Sequence, residues 1–230
     1  MLYSLFKLSK SIKIHLSDFI YHISKSSYFR EIFEFLIEKI DKKTYLCYNN
    51  LDIIYVRGRC FVLNNDKKTT VFNKMLELYQ GDPKRVQHFV KVNYFAEYIA
   101  ESENVDDKTF FIISSAALVH DIGIHESERK YNSSSGKYQE IEGPPLAEKL
   151  LSECKFDEKS IKRICFLVGH HHTYNNITDV DYQILVEADF IVNIYEDNLD
   201  IKQIESIKSK IFKTKSGINL LEKMFLTERK

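Results

Sequence analysis

The sequence predicts an all-α domain preceded by a smaller α+β or helical extension, and three observations carry that prediction. From residue 71 onward nearly every segment spaces its apolar residues three and four apart, the period of an amphipathic helix. Capping residues stand where those segments start: Asp82 before Pro83, Asp106 or Asp107, and Asp157. Short β-like runs are confined to the first 70 residues, where TYLCY, LDIIYV and CFVLN are separated by Asn49-Asn50 and Gly58.

The polar run NNDKKTT at 64–70 separates residues 1–70, an extension to which the sequence assigns no chemistry, from residues 71–230, the helical domain. Within the extension, residues 28–40 (YFREIFEFLIEKI) have helical periodicity, and the β-like runs after them suit a small hairpin or meander. In the domain, Asp82-Pro83 opens an amphipathic helix carrying Val86, Phe89, Val90, Phe95, Ala96 and Ile99. Asp106 or Asp107 caps KTFFIISSAALVHDIG, with Gly123 as its stop. HESERKYNSSSGKYQEIE reads as a polar loop, and Pro144-Pro145 as the start of the helix LAEKLLSEC. Asp157 caps EKSIKRICFLVGHHH, Asp181 begins YQILVEADFIVNIYED, and two amphipathic segments follow.

Composition narrows the function classes. With 44% hydrophobic residues in 230, the chain can bury a full core, yet no stretch approaches the roughly 18 apolar residues of a membrane span. The start, MLYSLFKLSKSIKIHLSDF, is too interrupted by Lys and Ser for a secretory leader, so the expected location is the cytoplasm. Lys+Arg and Asp+Glu both total 33; without a net field, a role in coating nucleic acid is disfavoured. Cys47, Cys60, Cys154 and Cys165 form no CxxC pair, which argues against a disulfide framework or a thiolate zinc site.

Four residues are polar groups on faces that their own helices bury. His88 aligns with Val92, Phe95 and Ile99; His120 with Ile113, Ala116 and Ala117; Asp121 with Ala117 and Leu118; Asp189 with Leu185 and Val192. A buried carboxylate is costly unless paired or coordinated. Two of them with two imidazoles suit a divalent transition metal better than four separate hydrogen-bond rescues.

On these residues, His88, His120-Asp121 in ALVHDIGI and Asp189 in LVEADFIVNIYED, the sequence resembles the HD-domain superfamily of metal-dependent phosphohydrolases over roughly residues 75–200. The resemblance implies an all-helical HD-domain bundle in which the four positions bind a divalent metal, with Mn, Fe, Ni, Co, Zn and Mg undistinguished. The chemistry implied is hydrolysis of a phosphate ester, a nucleotide or a related small phosphorylated metabolite, by metal-activated water that Asp121 orients. Superfamily members with two or three metals use a His-His pair in the region of GHHH. Continued as one helix, residues 158–172 carry the core stripe Ile161, Ile164, Cys165 and Val168 on to 171 and 172, with His170 to the side. His171 and His172 are therefore candidates for a second metal, and His171 also for a role in catalysis, orienting a ligand or taking a proton.

The subfamily pattern departs in places. Ile124 follows HDIG where cyclic-dinucleotide phosphodiesterases have Lys, and Thr173-Tyr174-Asn175-Asn176 stands in place of their Gly-Tyr-Pro signature. Ile124 and His125 occupy the stretch where alarmone hydrolases and 5'-nucleotidases carry acidic catalytic residues, with Glu126 and Glu128 slightly further on. Gln139 stands where dinuclear members place a further histidine, with Glu140 and Glu142 near it. Arg129, Lys130 and Lys137 are candidates to neutralise phosphate, and Tyr174 to stack on a base. The expected partner is a small phosphorylated substrate, with a homo-oligomer left open. Rival readings are a di-iron oxygenase of the HD type, against which Gln139 counts, and a non-catalytic nucleotide sensor.

Overall fold

Two segments of different character divide the chain, Met1–Asp66 and Lys67–Lys230. The computed structural model describes three strands in the first and residues 67–227 in the second. Strands β1 (Tyr45–Tyr48), β2 (Leu51–Val56) and β3 (Arg59–Asn64) form an antiparallel meander in sequence order, with Tyr45 opposite Ile54 and Leu51 opposite Asn64. They coincide with the β-like runs, whose Ile, Val, Tyr and Phe content favours a pleated surface. The helix expected over residues 28–40 lies outside the described residues.

The second unit is all-α: α1 (Lys67–Leu78), α2 (Pro83–Ser102), α3 (Asp107–Val119), α4 (Ile124–Tyr131), α5 (Gly136–Glu153), α6 (Glu158–Val168), α7 (Val180–Glu196), α8 (Ile201–Ile211) and α9 (Lys215–Leu221). Lys67–Thr70, the end of the polar run, form the first turn of α1. Helix α3 is the centre, buried continuously from Ile112 to Val119, as a helix apolar on all sides must be. It packs against α1, α2, α6 and α7, while α2 also packs on α7 and α5 on α6. The expected caps form: Asp82 accepts from Arg85 N at 3.2 Å, Asp106 from Lys108 N at 3.0 Å, and Asp157 from Ser160 N at 3.0 Å. Glu187, fully buried on α7, ties down the turn between α8 and α9 by accepting from Lys213 N at 2.6 Å and Thr214 N at 2.9 Å.

Three expectations are corrected. The polar stretch 125–142 is mostly helix, α4 and the start of α5, with only Asn132–Ser135 between them. Helix α4 is held by charge pairs three and four apart, Glu126 with Arg129 and Lys130, which leave no apolar period to read. Pro144-Pro145 lie inside α5 rather than at its start. Tertiary contact explains the early start: a Cβ on Gly136 would lie 2.5 Å from the His172 ring, and one on Gly123 would lie 2.7 Å from Gly143 N, so α5 is clamped onto the turns after α6 and α3. Finally, α6 ends at Val168 with Gly169 as its cap, and the three histidines occupy a turn, not a helix. No helix among the described residues is long and apolar enough to cross a membrane.

Candidate metal centre

Three helices deliver the first cluster. His88 comes from the interior of α2, His120 and Asp121 from the chain leaving α3, and Asp189 from α7, whose buried face includes Leu185 and Val192. Their donor atoms converge. His88 Nε2 lies 3.2 Å from His120 Nε2, 3.2 Å from Asp189 Oδ1 and 3.5 Å from Asp121 Oδ2. His120 Nε2 lies 3.5 Å from Asp121 Oδ2 and 3.7 Å from Asp189 Oδ1.

The opposite ring nitrogens decide what these atoms are. His120 Nδ1 donates to the Ala117 carbonyl at 2.8 Å, and His88 Nδ1 to Glu196 Oε2 at 3.0 Å, which leaves lone pairs on both Nε2 atoms. Four acceptor atoms facing one another repel unless a cation lies among them. A coordination sphere of about 2.1 Å radius sets neighbouring donors about 3.0 Å apart in an octahedron and about 3.4 Å in a tetrahedron. The spacing therefore fits a divalent ion, and two imidazoles with two carboxylates form a transition-metal donor set.

A second group shares Asp121. His88, His120 and Asp121 form one triad and Asp121, His171 and His172 another, the donors of each within 4.8 Å of one another. Asp121 turns Oδ2 to the first triad and Oδ1 to the second, where His171 Nε2 stands 3.3 Å away without hydrogen-bond geometry. His171 Nδ1 donates to the Val168 carbonyl at 2.8 Å. Among the described residues, His171 Nε2 and His172 Nε2 are buried without a hydrogen-bond partner, a costly arrangement that an ion would relieve.

Without metal, protons take up part of this demand. Burial pushes the His88 imidazole down, but Asp189, Asp121 and Glu196 outweigh it and raise its pKa to about 9. Burial lowers His120, and burial together with the neighbouring His171 lowers His172 to about 4. Burial raises Asp121 and Asp189, yet the surrounding imidazoles hold both below the usual carboxylate range.

A cavity of about 470 Å³ opens onto the cluster, with His88, Asp121, Asp189 and His172 in its wall, a size suited to a metabolite. Its cations are Lys84 and Arg85, one turn before His88 on α2, at a spacing visible in the sequence. Arg85 is aimed by Asp82 and Glu128, each at 2.5 Å. None of Arg129, Lys130, Lys137 and Tyr174 lines it. Arg129 pairs with Glu126, Lys130 with Glu142 at 2.6 Å, Lys137 sits over the Tyr138 ring, and Tyr174 packs on Phe190. Glu142 also accepts from Tyr131, and Glu140 from His172 N and Thr173 Oγ1, so both carboxylates are engaged. His170 stacks on Phe166, beside Arg163, as its place off the core stripe implies. Glu196 and Asn193, which donates to Asp189 Oδ1 at 2.9 Å, also line the cavity; their signal was a place four and seven residues beyond Asp189.

A profile of the HD domain matches residues 85–207, more than half of the chain. A crystal structure from an uncultured Thermotogales bacterium, described as a predicted HD superfamily hydrolase, is 23% identical to this chain, with a TM-score of 0.50. The likeness covers 67% of this chain and 83% of that one, and at this identity it concerns the fold alone. No curated protein matches.

Proposed function

The chain belongs to the HD-domain family, generally metal-dependent phosphohydrolases, and from that premise we propose that it hydrolyses a phosphate ester, a nucleotide or a related small phosphorylated metabolite. The observation that carries the reading is the pair of His/Asp triads meeting at Asp121. His88, His120, Asp121 and Asp189 would hold one divalent ion, and Asp121, His171 and His172 a second. Metal bound there supplies a Lewis acid for the phosphoryl oxygens and lowers the pKa of water at the site.

The chain's own residues do the rest. Asp121 offers one oxygen to each triad and so sets the position of the attacking water. His171, its Nδ1 fixed on the Val168 carbonyl, presents an Nε2 lone pair that takes a proton when no second ion occupies it. Lys84 and Arg85 neutralise the phosphate. Charge supports this division of labour: the cavity wall holds Asp121, Asp189, Glu196 and Asp197 against Lys84, Arg85 and, without metal, the protonated His88, so divalent metal shifts the balance in favour of a phosphate ester.

The test is metal analysis of protein purified without chelator, then a panel of nucleotides and simple phosphoesters with Mn, Mg, Ni or Co. Metal-dependent phosphate release, abolished by Asp121→Ala, is the expected result. Absence of bound metal under every loading condition would overturn the reading. Bound iron with oxygen consumption would replace it with oxygenase chemistry, and nucleotide binding without turnover would replace it with a sensor.

A further inference from the structure

We propose that Glu196 is the positioning residue for His88, and that it makes the His88 triad the tighter of two metal subsites; the inference rests on the metal reading above. Three imidazoles face the cluster with Nδ1 fixed, and they are fixed in two ways. His120 and His171 follow the ends of α3 and α6, where the last-turn carbonyls of Ala117 and Val168 have no helical partner and accept from Nδ1, each at 2.8 Å. His88 lies inside α2, where the nearby carbonyls are committed to the helix. It must find an acceptor on another helix, and the one it reaches is Glu196 Oε2 on α7, at 3.0 Å.

A carboxylate is a different kind of acceptor from a carbonyl. Charge-assisted hydrogen bonds are roughly twice as strong as neutral ones, and a carboxylate on the far nitrogen fixes the ring and raises the basicity of the nitrogen that binds metal. Glu196 is itself held, since its other oxygen pairs with Lys91, three residues after His88 on α2. The Glu196 and His88 side chains are only 15% and 11% exposed, so water competes weakly for this contact. Both Glu196 oxygens are thus engaged in holding side chains of α2, His88 and Lys91, although Glu196 also lines the cavity. The second triad lacks such a device among the described residues: behind the metal-facing nitrogen of His171 stands a carbonyl in place of a carboxylate, that of Val168.

The test is cobalt(II) titration of the full chain against a competing chelator, followed by the visible d–d absorption. Glu196→Gln keeps the shape and removes the charge. It is expected to weaken the tighter equivalent by about 10–100-fold and shift its band, with the weaker equivalent and the metal-free circular dichroism unchanged. Glu196→Asp keeps the charge but withdraws it from Nδ1; it is expected to lose the same equivalent, and it serves if the Gln variant does not fold. Cobalt binding as in the wild type in a folded variant overturns the proposal, as does a weakening that falls on both equivalents together with a lower metal-free Tm. Wild-type protein that binds no cobalt overturns the metal reading itself, so the two failures are distinguishable.

Discussion

The two triads that meet at Asp121 are built from different kinds of structure. His88, His120 and Asp189 belong to helices or their first residues beyond, and each is aimed by a hydrogen bond: His88 donates to Glu196, His120 donates to the Ala117 carbonyl, and Asp189 accepts from Asn193. His171 and His172 sit on the turn between α6 and α7. That turn is held by polar contacts: Glu140 accepts from His172 N at 3.0 Å and Thr173 Oγ1 at 2.9 Å, and the Tyr182 hydroxyl donates to the His170 carbonyl at 2.5 Å. The difference teaches that one carboxylate can join a site set by packed helices to one set by a polar turn. In the second, His172 is set by its backbone bond to Glu140 and by packing on Gly136, with its Nε2 left without a hydrogen-bond partner.

His171→Ala would strip the turn of its most buried ligand candidate. The change removes a fully buried imidazole and leaves the Val168 carbonyl without its donor, a cost of about 1–3 kcal/mol. One metal equivalent is expected to remain and the second to vanish, with kcat for phosphate release falling on the order of 100-fold or more. Metal content and kcat measured on the same preparation check this. Two retained equivalents would show that the turn does not hold an ion.

A smaller effect comes from pH. In the metal-free protein His88 is raised from an ordinary 6.5 to about 9, because its carboxylate neighbours outweigh burial. A group with a raised folded pKa contributes its stability in full below the unfolded value and loses it as pH rises through the folded one. The Tm of metal-free protein is therefore expected to fall between pH 6.5 and about 9. Asp121 and Asp189, both depressed, lose their contribution only on acidification below their ordinary 3.8, outside that window. His171, which Asp121 raises against burial, loses stability in the same direction, so metal in place of both protons should remove the decline, and paired melting series with and without metal read the two triads together.

The same division explains what could be read from the chain. His88, His120, Asp121 and Asp189 stood out because apolar neighbours three and four residues away fixed their faces, and the structure brings their donors together. His171 was reached by continuing α6 three residues past its end, which gave an inward residue although the backbone had left the helix. Helices α4 and early α5 were hidden because charge pairs and a glycine contact replace apolar periodicity there. Lys84, Arg85 and Glu196 carried readable spacing to His88 and Asp189, but a charged residue on a helix is ordinary until its neighbours across the cavity are known.

The smallest expected effect concerns the cations once assigned to a loop. Arg129 spends its guanidinium on Glu126, three residues before it on α4, and its side chain is 67% exposed; such a pair contributes about 0–1 kcal/mol. Lys137 lies over the ring of Tyr138, its neighbour on α5. Arg129→Ala and Lys137→Ala are therefore expected to leave metal content, KM and kcat at wild-type values, with Tm changes no larger than those of about 0.5 kcal/mol. Lys84→Ala removes a cation from the cavity wall beside His88 and is expected to raise KM roughly tenfold, about 1.4 kcal/mol of substrate binding, with metal content unchanged. Should Arg129→Ala raise KM more than Lys84→Ala, phosphate would have to approach from the α4 side, and the triad facing that side would be the one that receives it.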